Sequence, residues 1–315
     1  MRLRLDIAYD GTDFHGWARQ TSGVRTVQET IEDALALVLR TPVTLTVAGR
    51  TDAGVHASAQ VAHTDVPRAA LDQRSLDGDP TKLVRRLSKL LPADVRVLDV
   101  HEVSDAFDAR FAALHRSYTY RVTTNPAGAL PTRRADTAVW GKPVDINRMQ
   151  QAADLLVGLH DFAAFCKPKP HATTIRDVHA FTWHDVSTQH EREVYEARIT
   201  ADAFCWNMVR ALVATCLKVG EGKREDEWVA QLLEATKRDS QVPLAPACGL
   251  TLTGVEYPHP DAFAKRAAVT RDRRTLPNHY RLRIFFTRTH SRRTHDTSGG
   301  SCVCPTVLPP PGAGI

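Results

Sequence analysis

Long apolar runs are absent from this 315-residue chain. None approaches the ~18 residues that a membrane-spanning helix needs, so that class is excluded. Paired cysteines are lacking as well. Cys166, Cys205, Cys216, Cys248, Cys302 and Cys304 are scattered, and none makes a C-x-x-C pair. Disulfide and zinc frameworks are therefore not expected, and a reducing cytoplasm fits best. Among the 14 histidines no H-x-x-x-H or comparable spacing occurs, so no metal site is expected. The opening residues, Met1-Arg2-Leu3-Arg4-Leu5-Asp6, carry neither the apolar stretch nor the small-residue cleavage site of a secretory signal.

An excess of one charge is also missing from most of the chain. The net formal charge is +5, yet residues 265–315 hold ten Lys or Arg against two Asp, which leaves 1–264 at −3. A nucleic-acid partner must then be argued from local basic clusters and not from the overall pI. What is present is a hydrophobic content of 43%, over a length sufficient for two compact units.

Leu3, Leu5, Ile7 and Tyr9 alternate with polar or small residues and predict a first strand. Thr26 can cap a helix whose Val27, Ile31, Leu35, Val38 and Leu39 share one face. A strand at 43–48, a short strand near 59–63, a helix over 81–91 and a strand over 95–100 follow, with a surface loop at 66–80. The second half varies the same plan. Strands are expected at 115–122, 175–184, 194–201 and 250–257, and helices at 146–156, 207–219 and 228–235. This order suits an α+β chain of two ferredoxin-like (RRM-like) subdomains with antiparallel sheets. The expected division is 1–113, 114–262, and a basic, Pro/Gly-rich, disordered tail over 263–315. Within that tail, Cys302-Val303-Cys304 lacks partner ligands, and Arg292-Arg293 can touch RNA phosphates nonspecifically.

Between the strands at 43–48 and 59–63 lies Gly49-Arg50-Thr51-Asp52-Ala53-Gly54-Val55-His56-Ala57. It gathers a carboxylate, a guanidinium and an imidazole on a backbone bent by two glycines. An ionised carboxylate on such a loop can act as nucleophile or base. Read alone, the segment is equally well a plain turn with Gly54 at positive φ.

Four other stretches bear on it: Tyr9-Asp10-Gly11-Thr12-Asp13-Phe14-His15-Gly16-Trp17, Phe107-Asp108-Ala109-Arg110-Phe111 before Tyr118-Thr119-Tyr120, Val157 to Phe165, and Phe204-Cys205-Trp206-Asn207-Met208-Val209-Arg210. With Thr26-Val27-Gln28 and Ala245 to Leu252, in this order and spacing, they closely resemble the TruA family of tRNA pseudouridine synthases over roughly residues 1–260. That resemblance implies the pseudouridine synthase fold. It also implies cofactor-free isomerisation of uridine to pseudouridine at positions 38, 39 and 40 of the tRNA anticodon arm, by a homodimer. The family's essential aspartate falls on Asp52, its active-site arginine on Arg210 and its substrate-contacting tyrosine on Tyr118. Attack at C1′, attack at C6 and deprotonation at C2′ all need an anionic carboxylate, whose charge Arg50 and Arg210 are expected to hold. Tyr118 is assigned to the flipped base and Tyr120 to the core. His56 and Arg110 are candidates for phosphate contact, though each can equally be a solvated loop residue. The chain departs from the pattern at Trp17, where many relatives carry glutamine, and in the long 66–80 loop. Two rival readings are a same-fold synthase acting on other RNA positions and an RNA-binding protein that remodels tRNA without catalysis.

Overall fold

The alternation in the first residues produces the strand it predicts, β1 (Arg2–Tyr9), with Leu3, Leu5, Ile7 and Tyr9 all buried. The computed structural model describes residues 1–21, 23–169 and 173–271. After β1 come α1 (Val27–Leu39), β2 (Thr46–Val47), β3 (His56–Asp65), α2 (Lys82–Leu87) and β4 (Val95–Val103). Thr26 caps α1 by accepting from Glu29 N, and the helix buries Val27, Ile31, Leu35, Val38 and Leu39. Side by side the strands run β4-β1-β3, with β2 on the outer edge of β3, all antiparallel. That is the strand order of a ferredoxin-like unit.

The second half holds β5 (His115–Thr123), β6 (Ala138–Val139), α3 (Ile146–Leu155), β7 (Gly158–Asp161), β8 (Ile175–Asp185), β9 (Val194–Ala201), α4 (Met208–Gly220), α5 (Asp226–Glu234) and β10 (Leu250–Glu256). Its strands lie in the order β10-β5-β9-β8-β7. With β6, β7 and α5 set aside as additions, this is the same ferredoxin-like order again. The halves join where β10 pairs in parallel with the start of β3, Thr251 opposite His56 and Leu252 opposite Ala57. One continuous sheet results, and its seam falls next to the charged loop.

Three local expectations need correction. Only Thr46–Val47 of the strand expected at 43–48 pairs with β3. Upstream, Leu45 N donates to the buried Glu32 carboxylate at 2.8 Å, so a side chain from α1 takes the bond a strand partner would have had. Residues 158–161, where no strand is expected, form edge strand β7 against β8. The first nine residues of the expected tail form α6 (Phe263–Arg271). Phe263 packs edge-on against Phe107 at 5.1 Å, in a small cluster with Ala48, Val61, Ala109 and Ala112 that is separate from the main core. Residues 272–315, including Arg292-Arg293 and Cys302-Val303-Cys304, lie outside the described residues.

Candidate active site

Asp52 stands in the turn between β2 and β3, and most of what surrounds that turn holds its backbone still. Gly54 has φ +75°, the left-handed conformation a turn requires there. The loop after β1 is strapped across it: Trp17 N donates to Thr51 O at 3.0 Å and Gly54 N to Phe14 O at 3.3 Å. This approach is so close that a Cβ on Gly16, itself at φ +92°, would lie 2.9 Å from Thr51 O. Below the loop, the Tyr9 and Thr51 hydroxyls are 2.7 Å apart, and Gln60 Nε2 donates to the Tyr9 hydroxyl and, at 2.7 Å, to Gly49 O. Tyr9, Thr51 and Gln60 are all buried, and a satisfied buried network of this kind fixes one geometry. Trp17, the departure from the family pattern, is a core residue tilted against Tyr9 with ring centres 5.9 Å apart.

The Asp52 carboxyl is half-buried, and desolvation pushes its pKa above the ordinary carboxylate value. Four neighbouring residues oppose the shift: Arg210 first, then Trp206, Lys169 and Lys167. Arg210 lies in the first turn of α4, a helix in which every residue but Arg210 and Lys218 is buried. A cation is disfavoured at this positive end of the helix dipole. Its position is set by two bonds to one residue: Nε donates to Ala245 O at 2.7 Å, and Ala245 N donates to Arg210 O at 3.2 Å.

Trp206 and the two lysines were not singled out from the sequence, because the segments that carry them are far apart in the chain. Lys167 N donates to Trp206 O at 2.9 Å. One residue earlier on each segment, Cys166 and Cys205 face each other with Cα atoms 5.7 Å apart. The two cysteines are 39 positions apart, and no short motif announces the pair.

Tyr118 is brought to Asp52 as expected. It sits on β5, buried, with its ring edge-on to Phe204 at 5.2 Å and its hydroxyl near Gly49. Burial, with Tyr9 and Asp52 nearby, pushes its pKa up. Its hydroxyl has no hydrogen-bond partner among the described residues. Tyr120, two residues on, is buried and donates to Pro246 O at 3.0 Å, which makes it a core residue.

Arg50 is brought to the loop but not to its expected task. Its side chain is exposed, and it is not among the groups that act most on Asp52. His56 is likewise not a free phosphate ligand. It is buried, Nδ1 accepts from Gly11 N at 3.0 Å, and Nε2 faces Cys248 O at 3.0 Å. A neutral ring protonated on Nε2 satisfies both bonds. The Asp10 carboxylate, 3.1 Å from Nδ1, becomes an ion-pair partner only if the ring gains a second proton. His56 therefore ties β3 to the loop before β10, and its imidazole has no donor left for RNA. Arg110 is exposed, with its guanidinium over the Phe111 ring at 5.0 Å, open to an anion. The buried Arg116, also missed, donates to Ala48 O, Arg110 O and Asp202 O, joining the start of the Asp52 loop to both halves.

The arrangement is one half-buried carboxyl group within electrostatic reach of Arg210, Lys169, Lys167 and Tyr118, next to the seam of two ferredoxin-like units. The family model described as tRNA pseudouridine synthase matches residues 7–112 and 152–258, and the chain belongs to that family. It is 62% identical over 279 residues to tRNA pseudouridine synthase A of Corynebacterium glutamicum, a match covering 88% of this chain and 96% of that one. The corresponding protein of Frankia casuarinae is 51% identical over 278 residues, with 88% and 97% covered. That of Mycobacterium leprae is 48% identical over 281 residues, with 87% and 96% covered.

Proposed function

We propose that the protein isomerises uridine to pseudouridine in the anticodon arm of tRNA, at positions 38, 39 and 40, with Asp52 as the essential carboxylate. The observation that carries this reading is that Asp52, Arg210 and Tyr118, from three distant parts of the chain, come within electrostatic reach of one another beside the seam of the two halves. In the reaction the N1–C1′ bond breaks, uracil turns, and C5 bonds to C1′; the C5 proton is lost and N1 gains one. Atoms balance without a second substrate.

The target base is stacked in the tRNA and must leave the helix to reach a recess of this kind. Tyr118 offers it a flat partner, and stacking of this sort contributes ~1–3 kcal/mol per base. Arg210, Lys167 and Lys169 oppose the desolvation of Asp52, so that it can be anionic when the base arrives. Exposed Arg50 and Arg110 flank the site as phosphate contacts. A binder without turnover has no use for a half-buried carboxylate, which repels phosphate and costs free energy to desolvate.

The same reading makes the protein a cytoplasmic homodimer with the boundary between its halves at 113/114, in the connection from β4 to β5. In a reducing cytoplasm Cys166 and Cys205 would stand as two facing thiols. Mapping pseudouridine in tRNA incubated with the protein tests the function. New pseudouridine at 38, 39 or 40 is expected, and its absence from all three contradicts the assignment.

A further inference from the structure

Trp206 is 38% exposed, and two ammonium groups share its ring. Lys167 Nζ lies 4.1 Å and Lys169 Nζ 4.7 Å from the centroid. Both lysines are exposed, and neither ammonium has an ion-pair partner among the described residues. Like charges gathered on one ring repel each other. The ring attracts each of them only weakly at an exposed site. An ordinary solvated pair of lysines has no such common anchor, and an anion is what this one lacks.

The contacts that hold the patch lead to the Asp52 loop. Lys167 N donates to Trp206 O at 2.9 Å, which keeps the two segments side by side. Phe204, on the same segment as Trp206, packs edge-on against Tyr118 at 5.2 Å. The Tyr118 hydroxyl in turn lies near Gly49, at the start of the loop that carries Asp52. Both lysines also reach the Asp52 carboxyl through their charge.

A nucleotide flipped toward Asp52 brings its backbone phosphates with it, and a carboxylate repels them. Arg210 is tied through Nε to Ala245 O. Lys167 and Lys169 are unpaired cations on flexible stems, able to meet a phosphate as point charges.

We propose that Lys167, Lys169 and Trp206 form a subsite for the RNA backbone beside the flipped nucleotide: the ring gathers the two ammonium groups, and they take a phosphodiester. This rests on the reading of Asp52 as the essential carboxylate.

The test uses the full chain and tRNA ligated around a synthetic anticodon arm. Each arm carries one neutral methylphosphonate beside a 2′-deoxy sugar, placed in turn at the linkages flanking positions 38 to 40. The matched 2′-deoxy phosphodiester is the reference. In the wild type, methylphosphonate at the held linkage should weaken binding about tenfold, the loss of a contact between charged groups. In Lys167→Met with Lys169→Met the same replacement should cost less than twofold, because the partner has gone. The slope of log K against log salt for unmodified tRNA should fall by about 1 or more in that variant. Its melting temperature should match the wild type, since both side chains are exposed. Trp206→Leu keeps both charges without their anchor and should show a reduced effect at that linkage.

An unchanged salt slope, or equal methylphosphonate losses in wild type and lysine variant at every linkage, would overturn the proposal. So would a lower slope with a loss spread evenly over all linkages, the mark of diffuse attraction. A full effect in Trp206→Leu would overturn the part given to the ring. A wild type that forms no pseudouridine, yet keeps the coupled linkage, would overturn the reading of Asp52 and leave the subsite standing. An active wild type with no coupled linkage would overturn the subsite alone.

Discussion

The Tyr9 and Thr51 hydroxyls lie 2.7 Å apart, both buried, one residue before Asp52. Gln60 closes the network from below and also holds Gly49 O. Replacing Tyr9 by Phe leaves Thr51 and Gln60 each short of a partner in a dry environment, at a cost of about 1–3 kcal/mol. Chemical denaturation of Tyr9→Phe should report that loss, and kcat should fall with it because the turn that carries Asp52 loosens. Wild-type stability and kcat in this variant would mean that the turn is held by its backbone contacts alone.

The environment of Asp52 sets the pH dependence. Desolvation, the largest influence, raises its pKa, and Arg210 is the strongest group opposing that rise. If Asp52 acts as the proposed anionic carboxylate, activity should be lost as pH falls through a value above the ~3.9 of an ordinary aspartate. In Arg210→Met the acid limb of kcat/KM, which reports the free enzyme, should move higher still. A limb that stays in place, or moves down, would show that Arg210 does not act on this carboxyl group.

Arg50 and His56 should separate cleanly. Exposed Arg50 is placed to meet a phosphate, so Arg50→Ala should weaken tRNA binding and reduce the slope of log K against log salt by about 1. Buried His56 spends both nitrogens inside the protein. His56→Ala should instead lower stability by about 1–3 kcal/mol and leave the salt slope as it was. Salt titrations of binding, with melting curves for both variants, decide the matter.

The C-terminal helix gives a further prediction. Phe263 fills the small cluster around Phe107, and Arg266 Nε reaches Ala113 O at 3.3 Å. Ending the chain after Pro260 should therefore destabilise it by about 3 kcal/mol or more, the usual cost of emptying a buried Phe site. Ending it after Arg271 keeps both contacts. Equal melting temperatures for the two truncations would show that α6 contributes nothing.

Much of this was legible in the sequence, for identifiable reasons. Period-2 burial in β1 and β5 and the Thr26-capped stripe of α1 are local patterns. The doubled ferredoxin-like order follows from the succession of such elements, and Asp52, Tyr118 and Arg210 follow from short motifs. What was not legible depends on distant chain meeting distant chain. Glu32 takes the Leu45 amide and shortens β2, which periodicity cannot reveal. The loop before β10 claims His56 and so removes it from the list of phosphate ligands. Cys166 meets Cys205, and Lys167 and Lys169 meet Trp206, only because the segments after β7 and before α4 run side by side. Helix α6 lacks a clear apolar stripe, and Phe263 and Arg266 anchor it through long-range contacts. Arg50 shows the opposite error: nearness in sequence suggested an ion pair that the folded loop does not make.

The central claim is that Asp52 is the group on which conversion of uridine depends. Its most direct test is pseudouridine mapping in tRNA incubated with Asp52→Asn, alongside a binding measurement. The substitution keeps the size of the side chain and removes its charge. Retained tRNA binding with no pseudouridine at 38, 39 or 40 is the predicted result. Conversion at the wild-type rate would contradict it.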